Sequence, residues 1–183
     1  MNVPHETFSG YIDLLKKWSQ KINLVSAKDL DNIWERHIID SAQLMNYLSP
    51  KDHIIDVGSG AGLPGIILSI LGIERVTLIE SDQRKAAFLL QASKLSVNYI
   101  DILSVRVESL SLECDILTSR GFASIKNTLD LCKGLKVKKK FLFLKGEQVM
   151  KEIEEAQKFW NFEYSITPSV TSVNGCVVEL VRL

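Results

Sequence analysis

Cysteine is scarce in this chain. Cys114, Cys132 and Cys176 are an odd number with no C-x-x-C pair, which argues against a disulfide framework or a zinc site; reduced, buried thiols and no metal are expected. Long apolar runs are missing too. Stretches such as GIILSILGI fall far short of the ~20 residues that cross a bilayer, so no membrane association is expected. The opening MNVPHETFSG has neither a basic region nor an apolar core, so no secretory leader is expected and the cytoplasm is. An excess of one charge is likewise absent: 22 Lys and Arg balance 22 Asp and Glu, leaving no global pull toward nucleic acid. Neither a repeat nor a low-complexity segment interrupts the 183 residues, a length suited to one core and one domain.

The charge that is present is unevenly spread. KGLKVKKKFLFLK gathers Lys133, Lys136, Lys138, Lys139, Lys140 and Lys145. Two readings stand side by side: a solvated turn between a helix and a strand, or a patch facing phosphates.

Residues 5–20 place Phe8, Tyr11, Ile12, Leu15 and Trp18 at helical spacing, and a second helical pattern runs from about Ile33 to Leu48. Together they make a helical N-terminal extension over 1–49, ended by Pro50 in LSPKD, since proline disfavours helix in the residue before it. From His53 strand and helix alternate, which marks a core over 50–183. Strands are expected at 53–57, 75–80, 101–107, 114–119, 139–145, 162–168 and 175–183; helices are expected at 63–71, 84–97, 124–135 and 147–160. In the helix over 84–97, Phe88, Ala92 and Leu95 form the apolar face. This alternation predicts an α/β fold around a mostly parallel sheet. The last two strands are joined by only SVTSVN, too short for a parallel crossover, so they must pair antiparallel.

The chemistry-bearing segment is IIDVGSGAGLPGI, with four glycines in eight residues directly after an apolar strand. Gly58, Gly60 and Gly62 read G-x-G-x-G; Gly60, Gly62 and Gly65 read G-x-G-x-x-G, the dinucleotide spacing. In either register glycines let the backbone turn tightly and approach a ligand. Either register also wants an acid after the second strand for a ribose diol, and Glu80 stands there. Three features favour the earlier register. Gly58 directly follows the strand, so Gly60 and Gly62 lie deep in a longer loop. Asp56 interrupts the strand, and a buried carboxylate needs a partner, which a cationic ligand group would supply. The chain ends on a hairpin, whereas dinucleotide domains continue with parallel units. Gly65 then reads as a small residue that lets the first helix pack on the sheet.

I-I-D-V-G-S-G-A-G resembles the cofactor motif of Rossmann-like class I S-adenosylmethionine (SAM) methyltransferases, whose seven-stranded, mostly parallel sheet has an antiparallel last strand. Further segments narrow the resemblance: N-L-x-S and R-H-x-x-D-S within 23–41, L-P-G-I after the glycines, LIESDQRKAAFL, VRVESL, TSRGFASI and FLKG, in that order. Over nearly the whole chain they resemble the RsmG family, also called GidB, bacterial enzymes that transfer methyl from SAM to N7 of a guanine in 16S ribosomal RNA. The resemblance implies SAM as cofactor and this set of contacts: Gly58 and Leu63 at the pocket, Gly60 and Gly62 forming the turn, Glu80 with Ser81 on the ribose, Val107 and Glu108 flanking the adenine; Asp56 joins the cofactor contacts through its need for a cationic partner. Arg120, from S-R-x-F-A-S, closes the site as a further cofactor contact and is the catalytic candidate. Gly121 stands where the family usually has alanine, which loosens the loop.

Guanine N7 carries a lone pair and no proton, so its attack on a sulfonium methyl needs no general base. Alignment and exclusion of water would do most of the work, which explains why no Ser–His–Asp or Cys–His set is needed. His37 and Asp40 read as a helix-packing network, and Arg36, Arg84 and Lys145 as candidate RNA contacts. A protein without net positive charge binds phosphates weakly by itself. The expected partner is therefore 16S ribosomal RNA presented within a small subunit or its precursor, met by a monomer. The alternatives are a SAM methyltransferase of another substrate, an NAD-type oxidoreductase, and a SAM-fold binding protein without catalysis.

Overall fold

The computed structural model describes residues 3–183. Seven strands form one sheet in the order β3-β2-β1-β4-β5-β7-β6. They are β1 (His53–Val57), β2 (Arg75–Ile79), β3 (Tyr99–Leu103), β4 (Glu113–Arg120), β5 (Lys136–Lys145), β6 (Phe162–Pro168) and β7 (Cys176–Arg182). The first five run parallel; β7 enters antiparallel between β5 and β6. This is the expected seven-stranded α/β sheet with an antiparallel last strand.

Successive strand residues face opposite sides of the sheet, and two cores follow. Ile54, Val76, Leu78 and Ile116 face one side, where they meet α4 (Gly65–Ile70), α5 (Gln83–Ala92) and the N-terminal helices through Phe8, Tyr11, Leu15 and Phe88. Ile55, Val57, Leu117 and Phe143 face the other side, against α6 (Ile125–Leu131) and α7 (Val149–Gln157) through Leu129, Ile153 and Ala156. The N-terminal extension is therefore one covering layer of the sheet. Tyr11 of α1 (Ser9–Ser19) fixes it to the glycine loop by donating its hydroxyl to the Ala61 carbonyl at 2.7 Å.

Several expected elements differ in extent. The first helix begins as a tight 3-10 turn, His5–Phe8, before α1. The second is not one regular helix. A short α2 (Ala27–Leu30), capped by Ser26, precedes a wide π-type turn over Trp34–Ile39, the single α turn α3 (Asp40–Ala42), and a 3-10 turn over Gln43–Tyr47. The irregularity accompanies polar ties: Gln43 and Asp40 reach the β6–β7 loop, with the Thr171 hydroxyl donating to Asp40 Oδ1 at 2.8 Å. β3 begins two residues earlier and ends four residues earlier than the pattern predicts; after Leu103 the chain leaves the sheet and forms a 3-10 turn at Val107–Ser109. α5 ends at Ala92, where a 3-10 turn begins. Its buried face is Ala86, Phe88, Leu89 and Ala92, while Leu95 is exposed.

Candidate functional site

β1 ends at Val57 and the chain turns sharply. Gly58, Gly60 and Gly62 have φ of +67°, +55° and +80°, a left-handed region that costs residues with a Cβ about 1–2 kcal/mol. The turn is pinned to the end of β2, because the N–H groups of Gly58 and Ser59 both donate to the Ile79 carbonyl. Next along β2, Glu80 uses one carboxylate oxygen to accept from the Gly60 N–H (2.9 Å) and the other to accept from the Asp82 N–H (2.8 Å). Two backbone donors thus fix the carboxylate, and each oxygen keeps a lone pair for a ligand hydroxyl.

These elements bound a cavity of about 350 Å³ at the carboxyl edge of the sheet, where ligands bind in open α/β folds. Gly58, Gly60, Glu80, Ser81, Val107 and Glu108 line it, together with Val57, Ile79, Lys85 and Phe122. Leu63 is placed in the core under the loop, and Gly62 packs against Ile66, where a Cβ would lie 2.3 Å from Ile66 Cγ1.

Asp56 lies beneath the loop and does not line the cavity. Its Oδ2 accepts from the Gly65 N–H at 2.9 Å, while Oδ1 has no partner among the described residues. A backbone donor thus occupies the place expected for a cationic ligand group. Burial raises the carboxyl to a pKa of about 7, against the pull of the Gly65 hydrogen bond and the Arg120 charge. Gly65 admits this arrangement: a Cβ there would sit 2.4 Å from Leu78 and 2.8 Å from Asp56 Oδ2.

A second cavity of about 400 Å³ opens beside the first. Gly121 lines both. The second is walled by the N-terminal extension (Asp29, Arg36, His37, Asp40), by Arg120 at the end of β4, by Lys145 at the end of β5 with Gly146 and Glu147 after it, and by the β6–β7 loop. Arg120, expected to touch the cofactor as well, does not line the first cavity; its ties to Arg36, Asp40 and His37 turn it into the second, which it organises. One guanidinium nitrogen donates to the Arg36 carbonyl (2.8 Å) and Asp40 Oδ2 (3.2 Å), and another lies 2.9 Å from His37 Nδ1. The same Nδ1 also lies 2.9 Å from the Arg36 carbonyl, and Nε2 is buried without a partner among the described residues. Burial, then the Arg120 charge, lowers the His37 pKa to about 4, so the ring is neutral near pH 7. His37 and Asp40 thus join the extension to β4 and the terminal hairpin.

The candidate RNA cations have different placements. Arg36 lines the second cavity with its side chain half exposed, paired loosely with Asp29 at 3.4 Å. Arg84 is bound to Asp82 and lines neither cavity. Lys145 is largely buried, donating to the Ala123 carbonyl (2.6 Å) and Glu152 (2.8 Å). Of the lysine run, Lys136 and Lys138 bracket Glu113, Lys139 meets Asp52, and Lys140 meets Glu179.

The structure adds Phe122, the phenylalanine of S-R-x-F-A-S, to the site. Its ring covers Gly58 so closely that a Cβ there would lie 2.2 Å from Cδ2. Glu147 and Thr171 also line the second cavity, and nothing in their local sequence marks them.

The donor set suits S-adenosylmethionine, a group carrying a ribose diol, a planar base and a cationic chain. Glu80 offers oriented acceptors, Val107 with Ile79 an apolar slot, and Gly58 and Gly60 bare backbone.

Comparison with known proteins agrees. The family model described as GidB, rRNA small subunit methyltransferase G, matches residues 4–180. A protein of Rickettsia prowazekii (strain Madrid E) called ribosomal RNA small subunit methyltransferase G is 46% identical, over 97% of this chain and 94% of its own. One of the same name from Rickettsia felis is 45% identical, over 100% and 97%. Among solved structures, magnesium protoporphyrin IX methyltransferase from Synechocystis PCC 6803 with bound SAM superposes with a TM-score of 0.68 at 13% identity, covering all of both chains. Ribosomal protein L11 methylase from Lactobacillus delbrueckii gives a TM-score of 0.63 at 14% identity, over 79% of this chain and 76% of its own. At such identities these two structures bear on the fold alone, a Rossmann-like methyltransferase fold.

Proposed function

We infer the activity from one premise: the chain belongs to the GidB family, rRNA small subunit methyltransferase G, a SAM-dependent methyltransferase family. The reading is methyl transfer from S-adenosylmethionine to N7 of a guanine in 16S ribosomal RNA. The observation that carries it is the pair of adjoining cavities with Gly121 in both walls. One has the groups for the cofactor; the other is large enough for an unstacked nucleobase and sits between Arg36, Arg120 and Lys145.

When bound, the cofactor supplies an electrophilic methyl on a sulfonium. Glu80 holds the ribose, with Ser81 beside it, and Val107 and Glu108 flank the adenine. Gly58 and Gly60 let the backbone approach, while Asp56, Gly62 and Leu63 act from beneath by fixing the loop. Phe122 covers Gly58 and keeps water from the junction. Arg120 is held by the Arg36 carbonyl, Asp40 and His37; it positions the cavity wall and can donate a hydrogen bond to an acceptor edge of the base. The neutral His37 is not required as a proton acceptor, since guanine N7 has no proton to lose. Catalysis rests on alignment of the two reacting atoms.

Arg36 is the best placed of the RNA candidates. Lys145 contributes chiefly by holding the wall, and Arg84 stands outside both cavities. The balanced charge of the chain favours a substrate presented in the cytoplasm by the small subunit or its precursor over naked RNA, since phosphate binding by few cations is weak. Calorimetry with SAM and NAD separates the cofactor classes. Tight SAM binding is expected, and NAD binding without SAM binding would end the reading. Methylation of intact small subunits is expected to exceed that of a short RNA hairpin; equal rates would remove the particle as partner.

A further inference from the structure

The lysine run of β5 is the obvious candidate for contact with phosphates, and its lysines are largely spent on carboxylates. A cluster of exposed cations without an ion pair among the described residues lies elsewhere. Lys16, Lys17 and Lys21 follow one another on and just after α1, all exposed and none within ion-pair distance of an acid. Lys17 near the end of α1 and Lys21 in the turn just after it border one pocket. It measures about 200 Å³ and is completed by Trp18 and Gln91 of α5.

This pocket is firmly built. The Trp18 indole N–H donates to Gln91 Oε1 at 3.2 Å, and its ring packs edge-on to the buried Phe88 at 5.9 Å between centroids. The same α5 carries Lys85, which lines the cofactor cavity. Six residues separate Lys85 from Gln91, about 9 Å along a helix axis. The ledge thus shares α5 with the rim of the cofactor cavity and lies on the layer formed by the N-terminal extension. Asp13, one turn before Lys17, is the acid on this side of α1, and no ion pair joins the two.

We propose that this α1–α5 ledge, with Lys17 and Lys21 flanking Trp18, docks the sugar–phosphate backbone of the ribosomal RNA whose base enters the second cavity. The proposal rests on the functional reading above and commits to RNA on charge: two unpaired ammonium groups beside an aromatic wall complement a polyanion with exposed rings. It also reconciles zero net charge with an RNA substrate, because the β5 lysines are neutralised in pairs while this ledge is not.

The test is methyl transfer to small subunits lacking the modification, measured against salt for wild type, K17Q/K21Q and K136Q/K138Q, with SAM affinity and thermal melting read alongside. For K17Q/K21Q, KM for the particle is expected to rise at least tenfold. The slope of log KM against log salt should fall by about 1–2, near 0.7–0.9 for each phosphate no longer engaged. SAM affinity and melting should be unchanged, since neither ammonium group is paired within the described fold. K136Q/K138Q is expected to keep the wild-type KM and slope, and D13N to lower KM. Wild-type KM and salt slope in K17Q/K21Q would overturn the ledge, as would a loss confined to K136Q/K138Q or a rise in KM with no change in salt slope, the mark of a protein contact. Absence of transfer by wild type would fell the functional reading itself.

Discussion

Asp56 offers a sharp physical test. The carboxyl is fully buried, with one hydrogen bond to Oδ2 and none to Oδ1 among the described residues. Its pKa rises from the ordinary value of 3.8 to about 7. Between those values the folded chain holds a proton that the unfolded chain has lost. Stability therefore falls as pH rises through that window, and the loss is complete above about 7. Roughly three units at about 1.4 kcal/mol each give on the order of 4 kcal/mol. Asp56→Asn removes the titration while its amide oxygen still accepts from Gly65. Its NH2 takes the unpartnered place, a pH-independent cost of about 1–3 kcal/mol. The variant should thus be the less stable protein near pH 4.5 and gain on wild type steadily toward pH 8. His37, whose lowered pKa makes stability rise with pH from about 4 to 6.5, opposes this slope in both proteins and cancels in the difference. Urea unfolding of both, without cofactor, across that range gives the difference directly. Parallel stability curves would refute the burial argument.

The other predictions concern the cofactor cavity. Glu80→Ala should weaken SAM binding by roughly 1–3 kcal/mol through lost charged hydrogen bonds; unchanged calorimetric affinity would remove Glu80 from the site. Gly58→Ala and Gly121→Ala share a positive φ, +67° and +64°, but only the first meets a neighbour, Phe122. Gly121→Ala should therefore cost about 1–2 kcal/mol of stability, from strain alone, and keep activity. Gly58→Ala should cost more and lose SAM binding; equal effects on melting and affinity would contradict this contrast.

Much of the fold is legible in the sequence because its signals are local. HIIDV and RVTLI are short segments rich in Ile, Val and Leu, the glycines mark the turn between strand and helix, and six residues between the last two strands leave no room for a crossover. The acid after β2 is equally legible, since spacing from the glycines fixes it. What is not legible depends on distant partners. The lysines of β5 look free until Asp52, Glu113 and Glu179 arrive from other parts of the chain. Lys145 and Arg84 look available until Glu152 and Asp82 take them. The 33–48 region reads as one helix by its apolar spacing, yet Arg36, His37, Asp40 and Gln43 are shared with β4 and the terminal hairpin. Its backbone departs from the regular α form at Arg36, His37 and Gln43. Asp56 is legible as an anomaly, but its backbone partner is not, because the Gly65 N–H reaches it only once the loop has closed.

The most direct measurement is transfer of labelled methyl from SAM to small ribosomal subunits from cells lacking this protein, followed by mapping of the modified nucleotide. The expected result is one methyl per particle, on N7 of a guanine in 16S ribosomal RNA, abolished when that base is changed. Label on protein, on another position of the base, or nowhere at all would contradict it.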